Sequence, residues 1–286
     1  MEKIIRRLFF ALACLTVSGI AGQTPAKEKE TIIVDYFAGA RSVPFACVEQ
    51  VRGGVIKAFV DRGRHRVVDA ATIQDLQMAA NGMQAHPWGA PGDWREQQQL
   101  RARSIRALGA RYVVAGTVTD CVWEAKGKDR LLKQVDIALS VYDLQTGTLV
   151  DTQSWQLSQL GDTPKKIDEE LSSQLSLRTR FFIDRYFKFQ TDVLQLEAPN
   201  AKGKYKELYL RCGSSMGVRN GDLFKIYRRY SLFGEVAEQL LGKVRARQVC
   251  GENITRCSIS SGAEAIAQAF AQGDTLVAVS DGQALF

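Results

Sequence analysis

Three strand-like segments follow one another between Arg111 and Gln156, and they constrain the fold of this chain more than any other stretch. They read RYVVAGTVTDCVWEA, LKQVDIALSVYDL and TLVDTQSWQ, and polar residues separate them at Lys126–Asp129 and Gln145–Gly147. Connections this short join antiparallel neighbours of one sheet. The phrase before them, Ile105–Gly109, reads as a helix that ends at a glycine turn. We therefore predict an α+β fold in which helices pack on a sheet built around this meander.

The first of these segments is predicted to be the central strand of the sheet. Apolar residues occupy both of its faces around Val114, Gly116 and Val118, as a strand that is covered on both sides requires. A charge introduced there should be strongly destabilising, because an unpaired buried charge is expensive.

Earlier and later segments complete the predicted α+β domain. Residues 31–37 and 65–69 are rich in β-branched side chains and are predicted strands. Residues 44–62 have helical spacing, with one apolar stripe formed by Phe45, Val48, Val51, Val55 and Phe59. A long closing helix is predicted over residues 164–190, because the pair Thr163-Pro164 suits a helix start.

The sequence pattern changes after Pro199. Short strand-like runs such as KYKELYLRC, DLFKIYRRY and TLVAVS alternate with turns that contain glycine, which is typical of a small β-rich domain. We predict a leader over residues 1–22, an α+β domain over residues 23–195 that includes the closing helix, and a β-rich domain over residues 196–286.

Residues 1–22 read as a secretory signal peptide. Three basic residues precede an apolar run over residues 8–20, which is short for a transmembrane helix. We expect cleavage near residues 21–23, a periplasmic location with outer-membrane association left open, and no transmembrane helix in the mature chain. The alternative is a lipoprotein signal in which Cys14 is acylated.

Positive charge is concentrated in one sector of the chain. The formal net charge is +7, and residues 199–247 alone carry 11 basic and 4 acidic side chains. This basic sector predicts an acidic envelope protein or an anionic envelope surface as the partner, and nucleic acid is not expected for an exported protein. Its candidate contact residues are Arg228, Arg229, Arg245 and Arg247. The alternative is an ordinary solvated strand face.

Two tryptophans form the second candidate partner surface. Trp88 and Trp94 flank or follow an irregular stretch over residues 81–93 that is rich in proline and glycine. Exposed aromatic side chains there would suit a protein interface. The alternative is that both tryptophans hold the loop against its own domain.

Five cysteines follow the predicted leader, and an oxidising compartment permits them to pair. An odd number leaves at least one thiol free. Cys250 and Cys257 bracket a turn-like stretch between two strand-like runs, so they are a candidate disulfide. The alternative is that both remain unpaired thiols.

Motifs for catalysis or cofactor binding are weak in this sequence. Residues 213–217 match the G-x-S-x-G pattern of serine hydrolases around Ser215, but both histidines, His65 and His86, precede it, whereas the hydrolase order places histidine after serine. Two distant histidines without a C-x-x-C pair give no zinc ligand set, and no nucleotide-binding glycine motif occurs. We predict a non-enzymatic protein without metal or cofactor, with a serine hydrolase using Ser215 as the less favoured alternative.

The first domain resembles the amino-terminal domain of TolB and the related domain of curli secretion components of the CsgG and HfaB type. The resemblance covers about residues 31–156, and it is carried by the strands Ile32–Phe37 and Arg66–Asp69 and by the phrase Leu108-Gly109-Ala110 that leads into Tyr112–Val118. It implies a mixed or antiparallel sheet with helices packed on it.

The second domain resembles the carboxy-terminal domain of flagellar assembly protein T. The matching phrases lie at residues 217–228, at residues 242–245 and at Gly273-Asp274, within about residues 205–280. Together the two resemblances imply a non-enzymatic assembly or binding component of the Gram-negative envelope, related to curli assembly and transport proteins, with homo-oligomerisation left open. The alternative is a regulator that binds a peptidoglycan synthase.

Overall fold

The computed structural model describes residues 29–74, 76 and 103–283. The predictions for residues 1–22, for acylation of Cys14 and for Trp88 and Trp94 lie outside these residues. The described chain forms a five-stranded sheet with helices packed on it, followed by a closed six-stranded barrel. This architecture confirms the predicted α+β class with a small β-rich second part.

The five-stranded sheet is mixed, with the strand order β2-β1-β3-β4-β5. Its strands are β1 (Thr31–Gly39), β2 (Arg66–Asp69), β3 (Ala110–Ala125), β4 (Leu131–Asp143) and β5 (Thr148–Gly161). Strand β1 runs parallel to β2 and β3, whereas β3, β4 and β5 are antiparallel neighbours. The predicted meander is therefore confirmed, with its turns at the predicted polar residues.

Both faces of the sheet are covered around β3. Two helices, α1 (Phe45–Arg62) and α2 (Pro164–Tyr186), share the main core with Val114 and Val118. The opposite face carries a smaller core in which Val113 packs with Ile33 and Ile105. Because β3 is the middle strand and Val114 and Val118 are both fully buried, the prediction of a central strand is confirmed.

The two helices match their predicted positions, with two corrections. Helix α2 starts as predicted at Pro164 but ends at Tyr186 rather than 190, since the chain enters the barrel there. Phe45, predicted to lie on the apolar stripe of α1, is 70% exposed. It is the first residue of the helix, and helical periodicity does not reveal where the underlying sheet stops.

A disulfide joins α1 to β3, and it is not the predicted one. Cys47 and Cys121 are bonded across a sequence separation of 74 residues, which stabilises the fold by about 4 kcal/mol on loop entropy. Cys250 and Cys257 are free thiols. Cys257 faces the barrel interior opposite Ala246, whereas Cys250 is exposed at the following turn, so the predicted pairing is wrong.

The second part of the chain is a closed barrel with the strand order β10-β7-β6-β11-β8-β9. Its strands are β6 (Gln190–Leu196), β7 (Glu207–Leu210), β8 (Asp222–Leu232), β9 (Glu235–Val249), β10 (Thr255–Ser261) and β11 (Thr275–Gln283). A short helix, α3 (Ala263–Ala271), adds Ile266 and Ala269 to the barrel core. The barrel includes β6, which the predicted domain limit at residue 195 assigns to the preceding domain.

Strand β5 forms one edge of the sheet. Among the described residues it pairs only with β4, so most of its outer backbone groups have no strand partner. The carbonyl oxygen of Ser158 on this strand accepts a hydrogen bond from a helix side chain instead, that of Gln174, whose Nε2 donates at 3.1 Å. The described helices include none that is long and apolar enough to cross a membrane.

Candidate functional site

The sheet and the barrel meet at a short segment with the sequence Arg62-Gly63-Arg64. Gly63 takes a left-handed conformation with φ of 69° and ends α1, as glycine does at many helix ends. The turn directs the two basic side chains that flank the glycine, those of Arg62 and Arg64, into the junction, where both are buried. Burying charge is costly unless it is paired, so the partners of these side chains decide how the junction is held.

Arg62 is fully paired at the centre of the junction. Its Nε donates to Asp184 Oδ1 at 2.9 Å and its Nη2 donates to Asp222 Oδ2 at 3.0 Å. Its Nη1 donates to the carbonyl oxygen of Gly217 at 2.8 Å. Asp184 belongs to α2 and Asp222 begins β8, so one guanidinium that is 1% exposed links the helices of the sheet to the barrel.

Gly217 makes the close approach of barrel and helix sterically possible. Its φ is +67°, and a Cβ at this position would lie 2.5 Å from the carbonyl oxygen of Arg62. Any other residue would therefore be strained in its backbone and would collide with the end of α1. The second glycine of the G-x-S-x-G pattern, Gly217, thus has a packing role at the junction.

Arg64 is as deeply buried as Arg62 but less completely paired. Its Nη1 lies 2.7 Å from Asp184 Oδ1 and its Nη2 lies 4.0 Å from Asp222 Oδ2. Within the described part of the chain, none of its three guanidinium nitrogens has a hydrogen-bond partner of acceptable geometry. Burial, and then the neighbouring charge of Arg62, lowers the pKa of Arg64 to about 10.

Burial also governs the acidic side of this cluster. It raises the pKa of Asp222 above the usual value of an aspartate, although Arg62 and Arg64 act in the opposite direction. Asp222 Oδ2 additionally accepts the backbone N–H of Arg219 at 3.1 Å, which is the turn-stabilising role expected of aspartate before a strand. The same carboxylate therefore serves a local turn and a contact between the two parts of the fold.

A cleft of about 280 Å³ opens beside Arg64. Its walls come from the start of β1 and β3, from the segment after α1, and from the connection between α2 and β6. Arg111 pairs with Glu30 at the rim, and the rings of Tyr112 and Phe187 meet edge to face at 5.1 Å. His65 also lines the cleft, and burial together with Arg64 lowers its pKa to about 3, so this imidazole is neutral at physiological pH.

Sequence reasoning missed this junction, although the chain carries two indications of it. Asp184 interrupts the apolar run FFIDRYF, and two arginines flank the glycine that ends α1. A charge inside an apolar stretch of helix indicates a buried partner. Which partner it meets depends on the docking of the barrel, which no local pattern records.

The hydroxyl of Ser215, the candidate nucleophile of the hydrolase alternative, is hydrogen-bonded to a neighbouring loop. Ser215 lies in a turn of 3₁₀ helix at Ser214–Met216, and its hydroxyl donates to the carbonyl oxygen of Glu252 and contacts Asn253 Oδ1 at 3.0 Å. Its hydrogen-bond partners in the described chain are thus loop groups rather than a histidine. The described residues also contain no group of three or more metal-ligating side chains.

The four predicted contact arginines divide into two pairs. Arg228 binds Asp274 at 2.9 Å and Arg229 binds Glu238 at 2.6 Å, so carboxylates neutralise both. Arg245 and Arg247 lie on β9 on the outward side, and Arg247 Nε donates to Ser258 Oγ at 3.0 Å. In the described residues neither one has an acidic partner.

Lys243 precedes these two arginines on the same outward side of β9. Its ammonium also lacks an ion-pair partner among the described residues, and it is exposed. We call Lys243, Arg245 and Arg247 the cationic stripe. It is a part of the predicted basic sector whose charge no acidic partner in the described chain neutralises.

The observed fold is that of a two-part α+β protein, a mixed helix-covered sheet joined to a closed barrel. No protein-family model matches the chain, and no curated protein matches it significantly in sequence. Some solved structures match part of the chain.

Similar structures include the PelC dodecamer from Paraburkholderia phytofirmans, with 15% identity, a TM-score of 0.35, and coverage of 54% of this chain and 88% of that one. Lipoprotein GNA1162 from Neisseria meningitidis has 14% identity and a TM-score of 0.37, covering 52% and 96%. The LpoB carboxy-terminal domain from Escherichia coli has 16% identity and a TM-score of 0.28, covering 49% and 90%. Similarity this distant carries no functional inference, so the proposals for this chain rest on its own residues.

Proposed function

We propose that this chain is a non-enzymatic binding or assembly component of the Gram-negative envelope that docks onto an anionic envelope surface through its barrel. The observation that carries the proposal is the cationic stripe, three consecutive outward positions of β9 that lack acidic partners within the described residues. The predicted leader and the resemblance to curli assembly proteins support an envelope location and a relationship to that group.

The stripe suits a broad anionic surface better than a single acidic group. Alternate residues of a strand point to the same side about 7 Å apart, so the three charges form a row along the barrel. Exposed ion pairs contribute only about 0–1 kcal/mol each. Docking would therefore require the three charges to act together, and it should weaken as salt screens them.

Co-sedimentation with purified envelopes tests the docking proposal. A triple variant with Lys243→Gln, Arg245→Gln and Arg247→Gln is expected to sediment several-fold less than wild type at low ionic strength. Added salt should release the wild-type protein. The fold should persist, because all three side chains point away from the barrel core.

A matched control removes the same net charge elsewhere. Lys128, Lys165 and Lys166 are exposed on the sheet part of the molecule, and their replacement by glutamine should leave sedimentation near the wild-type level. Equal loss in both triple variants would show a general charge effect and would contradict docking through the stripe.

The non-enzymatic part of the proposal has its own test. The Ser215 hydroxyl is engaged with the Glu252 carbonyl and Asn253, which supports a role in the loop rather than in nucleophilic attack. We expect no turnover of activated esters by the purified protein. Ester hydrolysis that disappears in Ser215→Ala would establish the hydrolase alternative instead.

A further inference from the structure

We propose that the cleft between the sheet and the barrel binds a small oxyanion, a carboxylate or a phosphate group carried on a compact body with an apolar face. This site is separate from the cationic stripe and does not depend on the docking function. The proposal rests on the charge of the cleft, on the state of Arg64 and on the aromatic walls.

The charge of the cleft lining is strongly positive. Four basic side chains line it, those of Lys29, Arg64, Arg111 and Lys188, together with a single carboxylate, that of Glu30. The carboxylate of Glu30 is itself paired with Arg111. A partly enclosed cavity with this imbalance concentrates anions, because its low-dielectric walls focus the field.

Arg64 supplies positive charge beneath the floor of the site. Its side chain is 2% exposed, and its guanidinium nitrogens are buried without a hydrogen-bond partner of acceptable geometry among the described residues. A buried charge is weakly screened, so it favours an anion in the adjacent cleft. The donors that an oxyanion can reach belong to Arg111 and Lys188, which line the cleft and have side chains that are 37% and 45% exposed.

Asp184 fixes the position of Arg64. The ion contact at 2.7 Å holds Nη1 on the junction side, and the guanidinium lies 5.3 Å from the ring centre of Phe189. The arginine is thus held between a carboxylate behind it and an aromatic ring beside it, and its charge stays at the base of the cleft.

Aromatic side chains determine the body of the ligand. Tyr112, Phe187 and Phe189 line the same cleft as the basic residues. Their rings offer apolar surface to a sugar ring or to a short hydrocarbon skeleton, while the oxyanion faces the accessible basic side chains of Arg111 and Lys188. The cleft volume of about 280 Å³ is near the lower end of ligand sites in proteins, so the expected ligand is of monosaccharide size.

Binding is measured by isothermal titration calorimetry at constant ionic strength with three probes. Glucuronate carries a carboxylate on a sugar ring, glycerol 3-phosphate carries a phosphate on a short carbon chain, and glucose is the uncharged counterpart. We expect saturable binding of at least one anion and none of glucose. Binding of glucuronate would indicate an acidic sugar as the physiological ligand, and binding of glycerol 3-phosphate would indicate a phosphate ester.

A pair of lysine variants locates the binding. Lys188 lines the cleft and lies 3.9 Å from Asp281, whereas Lys225 contacts the same carboxylate at 2.9 Å but does not line the cleft. Lys188→Gln should weaken anion binding roughly tenfold, the effect of one charge-assisted hydrogen bond. Lys225→Gln should leave it unchanged, and neither substitution removes core packing.

Two results would overturn the inference. The first is that neither anion binds to wild-type protein whose thermal midpoint confirms that it is folded. The second is that an anion binds equally to wild type and to Lys188→Gln, which would place its binding site outside the cleft.

Discussion

The free cysteines show how strongly side-chain environment separates residues of one type. Cys212 and Cys257 are buried in the barrel core, and burial raises the pKa of the Cys212 thiol to about 12 and also raises that of Cys257. Cys250 is exposed at the β9–β10 turn. Since the thiolate is the reactive form, these three thiols should differ sharply in reactivity.

We predict that a maleimide labels the native mature protein at Cys250 alone. Denaturation without reductant should raise the count to three, and reduction should raise it to five by opening the bond between Cys47 and Cys121. Intact mass measures each state. A single labelled thiol after denaturation would show that Cys250 and Cys257 are bonded to each other and that only Cys212 is free.

His65 gives the fold a dependence on acid. Its folded pKa of about 3 lies below the ordinary value of 6.5, chiefly because the ring is buried. The stabilising effect of the neutral ring is therefore complete above pH 6.5 and is lost progressively as the pH falls toward 3. Between these two pH values, His65 is protonated in the unfolded chain but remains neutral in the folded chain.

We expect the thermal midpoint of wild type to fall more between pH 7.5 and pH 4.5 than that of His65→Phe. Phenylalanine keeps the ring contact with Phe187 at 4.9 Å, and it removes an Nδ1 that has no hydrogen-bond partner in the described residues. Differential scanning calorimetry of both proteins measures the difference. An equal fall would assign the acid sensitivity to the carboxylates instead.

At the scale of elements, β3 carries the sheet. Val114 is fully buried in the main core, so Val114→Asp should reduce the free energy of unfolding by at least about 3 kcal/mol, since the new carboxylate would have no cation nearby. Thr119→Asp on the exposed part of the same strand is the control. Urea denaturation compares the two, and an equal, small loss would remove β3 from the centre of the sheet.

Some elements could be predicted because their information is local. The meander was predictable since polar turns interrupt apolar strands at Lys126–Asp129 and Gln145–Gly147. Helix α3 was missed, because it has only 9 residues and lies between Gly262 and Gly273, in a region whose glycine turns indicated short strands. The true disulfide was missed for a different reason: Cys47 and Cys121 meet only after α1 has packed on β3.

At the scale of the whole molecule, Arg62 links the sheet part to the barrel through Asp184 and Asp222. The sequence predicts two parts but not their contact, because Asp184 and Asp222 reach Arg62 from distant positions in the chain. Breaking a buried ion pair by removing one partner costs about 3–5 kcal/mol. The junction should thus be a main source of cooperativity.

We predict that Arg62→Ala separates two unfolding transitions that coincide in wild type. Trp123 and Trp155 lie on β3 and β5 and report on the sheet part, and no tryptophan follows them in the sequence. The buried thiols of Cys212 and Cys257 report on the barrel. Lys57→Ala, which removes an exposed pair with Asp61, is the control and should cost less than about 1 kcal/mol. Coincident transitions in Arg62→Ala would show that the junction is not the coupling element.

The free edge of β5 makes the two parts of the molecule unequal in their ability to pair with an added strand. A closed barrel has no outer strand, so nothing can be added to it by strand pairing. The sheet ends in a strand of 14 residues that contains no lysine, arginine or proline and a single acidic residue, Asp151. Lysine, proline and other charged residues are the types with which proteins usually block the edges of sheets. Any filament or ring built by strand addition would therefore grow from the sheet end, with the barrels as side branches.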